Sequence, residues 1–120
     1  VKPPLKWVGG KTKLLPELRK RMPLMWGRYF EPFFGGGALF FDVQPEVASI
    51  NDVNRDLIVT YQTIVSNIGG LVATLKEHKE LHKLDEEYYN RTRSRWNDGD
   101  YDVTPIMRAG AFIYLNKTCF

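Results

Sequence analysis

The chain holds one cysteine, two histidines and no long apolar run. A single thiol, Cys119, cannot form an internal disulfide, which excludes a disulfide scaffold. A lone thiol suits a reducing cytoplasm, and Cys119 reads as a buried structural thiol rather than a nucleophile. The longest apolar run covers residues 33–41 and contains three glycines, far short of the ~20 residues of a membrane span. No signal-peptide pattern opens the chain. These absences lead to the expectation of a cytoplasmic protein with no membrane partner. His78 and His82 stand four apart beside Glu77 and Glu80, which reads as a solvated helix face, so no metal site is expected. With 120 residues, 43% of them apolar and 26% charged, neither a disordered tail nor a collagen-like chain fits. What remains is one globular domain or part of a larger one.

Charge is unevenly spread beneath a net +3. Residues 1–28 carry eight Lys/Arg and one Glu, residues 29–90 carry four and ten acids, and residues 91–120 carry five and three. The basic opening is either a hint of a phosphate-rich partner or solvated helix charge. The first residue is not methionine, and Phe120 directly follows an apolar helical pattern. Domain termini are usually exposed and polar, so the chain is expected to be a piece of a longer protein.

Pro3 and Pro4 forbid helix at the start, and Gly9-Gly10 forms a turn. Residues 11–22 read as a helix with Leu14, Leu15, Leu18 and Met22 on one face and Pro16 in its first turn. Residues 28–31 form a short strand, residues 33–37 a glycine-rich turn, residues 38–43 a short helix and residues 47–50 a second strand. That order is a βαβ unit, which implies a parallel sheet. After Asn54, a plausible N-cap, the period turns helical at Leu57, Ile58, Tyr61, Ile64 and Val65. Residues 68–70 read as a break, residues 71–78 as a second helix and residues 85–96 as a third, with Glu87 and Arg91 spaced to pair. Tyr88, Tyr89 and Trp96 read either as base-stacking residues or, more simply, as core of that helical part. Residues 97–100 form a turn. Thr104 and Pro105 then open a last helix carrying Ile106, Met107, Phe112, Ile113 and Leu115. The fold class is therefore α/β: a partial Rossmann-like sheet over residues 1–53, followed by an all-helical segment over 54–120.

Several clusters can carry chemistry. Phe34-Gly35-Gly36-Gly37 follows a strand and opens a helix, so it is either a tight turn or a place where a ligand meets backbone N–H groups. The full dinucleotide fingerprint fails, because Phe40 stands at its third glycine. Asp52, at the carboxyl end of the second strand, can accept both ribose hydroxyls of a nucleoside; the alternative is that Asp52 or Asn54 only caps the next helix. Gly10-Lys11-Thr12 looks like a P-loop tail, but Leu5 replaces the required glycine and no strand precedes it. Trp7 can stack on a purine and Lys11 can meet a carboxylate or phosphate. The alternative is a buried indole beside a surface lysine. Glu31 either interacts with an ammonium group or is an exposed carboxylate at a strand end.

Together these segments resemble the Dam-type, D12 class DNA adenine-N6 methyltransferases. Lys6-Trp7-Val8-Gly9-Gly10-Lys11 resembles that family's K-W-x-G-G-K motif, and Glu31-Pro32-Phe33-Phe34-Gly35-Gly36-Gly37 its E-P-F-x-G-x-G motif. Asn51-Asp52-Val53-Asn54-Arg55-Asp56-Leu57-Ile58 is similar to N-D-x-N-x-x-L-I, and Tyr114-Leu115-Asn116-Lys117-Thr118-Cys119-Phe120 to Y-L-N-R-x-x-[FY]. The resemblance implies S-adenosylmethionine as cofactor, with Trp7, Lys11, Gly35, Gly37 and Asp52 binding it. Trp7 would act as a wall and Lys11 as a point charge near the methionine end. It implies double-stranded DNA as partner, with Asn116, Lys117 and Phe120 near it and residues 54–120 beginning a DNA-recognition domain. It implies a prokaryotic or phage-encoded cytoplasmic enzyme, in a restriction-modification, phage or housekeeping role.

The family's Asp-Pro-Pro-Tyr motif is absent, since the sole Pro-Pro pair is Pro3-Pro4. No catalytic residue is therefore assigned, and the 120 residues alone are expected to be inactive. Two short parallel strands are also expected to be poorly stable and prone to self-association. Two other readings remain open: a non-catalytic helical DNA-binding module, and a methyltransferase acting on RNA or a small molecule.

Overall fold

In the computed structural model, which describes residues 1–119, the chain divides into two compact units, Val1–Val53 and Asn54–Phe120. In the first unit a 3-10 turn, Thr12–Leu14, leads into helix α1, Leu15–Arg21. Pro16 lies in its first turn, where a missing N–H costs nothing, and Arg19, Lys20 and Arg21 face the negative end of the helix dipole. The helix expected over 11–22 is thus shorter and begins as 3-10. Its apolar face is not buried within the described residues, and Leu14 is exposed.

Strand β1, Tyr29–Glu31, leads through the glycine turn to helix α2, Ala38–Val43, and then to strand β2, Ala48–Ile50. The strands pair in parallel with Tyr29 opposite Ala48 and Glu31 opposite Ile50. Backbone pairing continues past both strands. Asn51 N–H donates to the Glu31 carbonyl at 2.9 Å, and Phe34 N–H donates to the Asn51 carbonyl at 2.9 Å. This extension draws the chain at Asp52 alongside the glycine turn. Tyr29 and Glu31 point inward and Phe30 outward, as the two-residue period of a strand requires. Phe34 is fully buried and meets Phe40 edge-on at 5.5 Å, while Phe40 meets Phe41 at 5.2 Å. Gly37 sits among these rings with φ +78°, and a Cβ there would lie 2.5 Å from Phe34 Cζ. Backbone conformation and ring packing both demand glycine at that position.

The second unit is all helix: α3, Arg55–Ser66; α4, Ile68–Leu84; α5, Tyr88–Asn97; α6, Pro105–Thr118. Side-chain caps define three of the starts. Asn54 accepts from Leu57 N–H, Asn67 from Gly70 N–H and Thr104 from Met107 N–H. The Asn67 cap explains why residues 68–70 are the first turn of α4 rather than a break, and α4 runs on to Leu84. Helix α5 begins later than expected, and Arg91 pairs with Asp85 instead of Glu87, because Asp85 lies outside the helix on the loop before it.

Helix α6 packs against α3 and α4. Its buried residues are the small Ala109, Gly110 and Ala111 together with Tyr114, not a face of large aliphatics. A Cβ on Gly110 would lie 2.5 Å from Thr74 Cγ2, so the glycine sets how closely α6 meets α4. Arg108 donates twice to Asp56 of α3, at 2.8 and 3.0 Å, and its guanidinium lies 3.6 Å from the centre of the Trp96 ring. Among the described residues no single helix is long and apolar enough to cross a membrane.

Candidate functional site

The carboxyl ends of the two strands gather the first unit's chemistry. Asp52 accepts a hydrogen bond from Gly35 N–H through Oδ2 at 2.8 Å. Asn54, not Asp52, caps α3, so of the two residues open to that role the cap falls to the amide. Gly35 has φ +55°, and a Cβ there would come within 3.0 Å of Trp7 Cδ1. A Cβ on Gly36 would lie 3.0 Å from Trp7 Cβ. The indole therefore lies directly on the glycine turn, partly exposed rather than buried.

Lys11 reaches the same region from the end of the Gly9-Gly10 turn. Its Nζ donates to Glu31 Oε1 at 3.3 Å and to the Phe33 carbonyl at 2.6 Å. An ammonium has three donors, and two of them are engaged here among the described residues. Glu31 is 7% exposed, and its other oxygen accepts from the Tyr29 hydroxyl at 2.5 Å. Burial, and next the hydrogen bond to Glu31, push the Tyr29 hydroxyl well above its ordinary pKa, which keeps it protonated as a donor. Glu31 is thus a buried carboxylate held by a phenol and an ammonium, not an exposed strand end. No sequence motif marks Tyr29 as a partner for Glu31. Only its place two residues before Glu31, on the same face of β1, indicates it.

Trp7, Lys11, Gly35 and Asp52 come together in this way. Gly37 belongs to the same turn, but its nearest neighbours are the rings of Phe34 and Phe41. Asn116 and Lys117 lie in the last turns of α6 in the second unit. Phe120 lies outside the described residues.

The second unit corrects two expectations. His78 is buried, not on a solvated face, because α4 turns that side toward α5 and α6. Its Nδ1 is hydrogen-bonded to the Tyr88 hydroxyl at 2.7 Å, and its ring stacks on Tyr114 at 5.0 Å. Burial pulls its pKa below the ordinary value; Glu77 opposes this and Arg95 adds to it. His82 Nδ1 is hydrogen-bonded to the Tyr114 hydroxyl at 2.7 Å. Among the described residues no cluster of His, Cys, Asp and Glu could hold a metal ion. Cys119 is exposed rather than buried, since it follows the last turn of α6.

Comparison with known proteins matches residues 7–120 to the D12 class N6 adenine-specific DNA methyltransferases. The chain is 39% identical, over its whole length and 42% of the relative, to the Type II methyltransferase M1.LlaDCHI of Lactococcus lactis subsp. cremoris. It is 36% identical, over its whole length and 46% of the relative, to the Type II methyltransferase M.MjaIII of Methanocaldococcus jannaschii. Over 99% of the chain and 41% of the relative it is 32% identical to a DNA adenine methylase of Haemophilus influenzae. The chain spans less than half the length of these curated relatives. With the motifs in order and the match covering nearly every residue, the chain belongs to the D12 class N6 adenine-specific DNA methyltransferase family.

Proposed function

We propose that this chain is the N-terminal part of a DNA adenine-N6 methyltransferase, which transfers a methyl group from S-adenosylmethionine to adenine in duplex DNA. The supporting observation is the convergence of Trp7, the Lys11–Glu31 pair and Asp52 on one glycine turn. That turn lies at the carboxyl end of two parallel strands, where open α/β sheets bind ligands.

The donor set fits the cofactor. Asp52 accepts from Gly35 N–H at the carboxyl end of the second strand, and a carboxylate at that position suits ribose hydroxyls. The third N–H of Lys11 suits the carboxylate of the methionine end, and Glu31 suits its ammonium. Trp7 offers a flat apolar wall. When bound, S-adenosylmethionine supplies an electrophilic methyl group on a sulfonium. The chain's residues would hold and orient it, and the glycines would let the Trp7 indole pack close on the turn as its wall.

Acceptors for the adenine amino group are not assigned within these residues, which contain no Asp-Pro-Pro-Tyr. They would come from the remainder of a protein more than twice as long, as the relatives are. That remainder would also extend the two strands to a Rossmann-like sheet. The helical unit would begin the DNA-recognition domain, with Asn116, Lys117 and Phe120 near the duplex. The relatives come from bacteria, an archaeon, a phage and a virus, which supports a cytoplasmic setting and a restriction-modification, phage or housekeeping role.

The test is incubation of the full-length protein with methyl-labelled S-adenosylmethionine and either duplex DNA, RNA or a small-molecule pool. Nucleosides are then digested and analysed by mass spectrometry. N6-methyladenine in the DNA is the expected product. Cofactor binding with label only in RNA or a small molecule would refute DNA as substrate, and DNA binding without cofactor binding would favour a recognition module.

A further inference from the structure

Among the described residues, grooves of the helical unit differ in their charge. One, of about 390 Å³, lies at the starts of α3 and α6 and sets Arg55 and Arg108 against Asp56 and Asp102. A second, of about 270 Å³, lies among α4, α5 and α6 and sets Arg95 against Glu77. The third, of about 300 Å³, lies between the later turns of α4 and α6, and no carboxylate lines it. Leu75, Ile113 and the Tyr114 ring form its apolar part, and Lys79, His82 and Lys117 flank it.

Lys79 and Lys117 have no ion pair among the described residues, and unlike Arg55, Arg95 and Arg108 in the other two grooves they share their groove with no carboxylate. His82 spends Nδ1 on the Tyr114 hydroxyl, which fixes the ring and leaves Nε2 without a hydrogen-bond partner among the described residues. Unopposed cations beside an apolar floor match a ligand that alternates negative charge with apolar surface. A nucleic-acid backbone has that chemistry, with phosphodiesters for the ammonium groups and sugars for the floor.

We infer that the groove between α4 and α6 is a phosphate-backbone site for duplex DNA, with Lys79 and Lys117 contacting phosphates and Leu75 and Ile113 packing against the strand. The inference rests on DNA as the substrate and adds Lys79, His82 and a groove to the α6 end. Contacts of this kind position the duplex and carry no sequence information. They do carry a signature in salt. Each phosphate neutralised contributes about 0.9 to the slope of log affinity against log salt concentration.

The experiment measures duplex binding by the full-length protein across a salt series. The Lys79→Gln/Lys117→Gln double variant is expected to lose ~1.8 from the slope, at about 0.9 per contact, with a matching loss of affinity at low salt. Lys83→Gln, whose ammonium is held by Glu80 at 3.5 Å, should leave the slope unchanged. Thermal melts of the variants should match the wild type, because both substituted side chains are exposed. A wild-type slope in the double variant overturns the groove site, as does weaker binding with no change of slope. In either case, if the wild type methylates duplex DNA, the proposed function stands. A wild-type protein that neither binds nor methylates duplex DNA removes both.

Discussion

Asp52 serves the glycine turn and, on the proposed function, the ribose of a nucleoside; two substitutions separate these duties. Asp52→Ala removes the acceptor for Gly35 N–H, a 2.8 Å bond to a carboxylate. A hydrogen bond to a charged group contributes about 1.5–3 kcal/mol, so the ligand-free protein should lose roughly 2 kcal/mol of stability. Asp52→Asn keeps an oxygen for that N–H and should lose about half as much, since charge-assisted bonds are about twice as strong as neutral ones. Ligand binding should suffer more, because two bonds weaken instead of one. Halving two ribose bonds of about 1.5–3 kcal/mol each loses ~1.5–3 kcal/mol, or ~10- to 100-fold in dissociation constant. Asp52→Asn should therefore melt between Asp52→Ala and the wild type, yet bind S-adenosylmethionine at least ~10-fold more weakly than the wild type. Calorimetric titration of the full-length protein gives the second quantity and a thermal melt without ligand the first. If Asp52→Asn bound the cofactor as tightly as the wild type, the carboxylate would serve the turn alone.

Lys11→Met leaves the buried Glu31 carboxylate with Tyr29 but without its ammonium, so it should lower the melting temperature as well as cofactor affinity. The Lys11→Met/Glu31→Gln double variant should recover the melt but not the affinity, and recovery of both would show that the pair has no ligand role. Gly110→Ala drives a methyl to 2.5 Å from Thr74 Cγ2 and should cost about 1–3 kcal/mol. Adding Thr74→Ser, which deletes that methyl, should restore most of the loss in a double-mutant cycle followed by denaturant unfolding. His78 has its pKa lowered chiefly by burial, so below about pH 6.5 the unfolded chain binds more protons than the folded one. Stability should fall as pH drops from about 6.5 toward the lowered value, and His78→Asn should flatten that slope; an unchanged slope would mean another group sets it.

The elements that the sequence determines by itself are those specified by neighbours in the chain. Residues 38–43 form the expected short helix because glycines precede it and the apolar run continues into it. Asn54 and Thr104 start helices because their side-chain oxygens reach an N–H three residues on, and Pro105 suits a first turn. The parallel pairing follows from the short strand–turn–helix–strand order. The family motifs are likewise local strings, readable without coordinates. The tertiary structure decided what depends on residues far apart in the chain. Whether Glu31 is an exposed acid or a buried partner depends on Lys11, twenty positions earlier. His78 and Cys119 exchanged their expected surroundings, because burial depends on which helix face meets another helix, and α6 crosses α4 at a glycine that no apolar period announces. Hydrophobic periodicity indicates that a helix has an inner face. The closeness of the packing, and the polar groups drawn into it, follow from the shapes of side chains that meet only once the chain has folded.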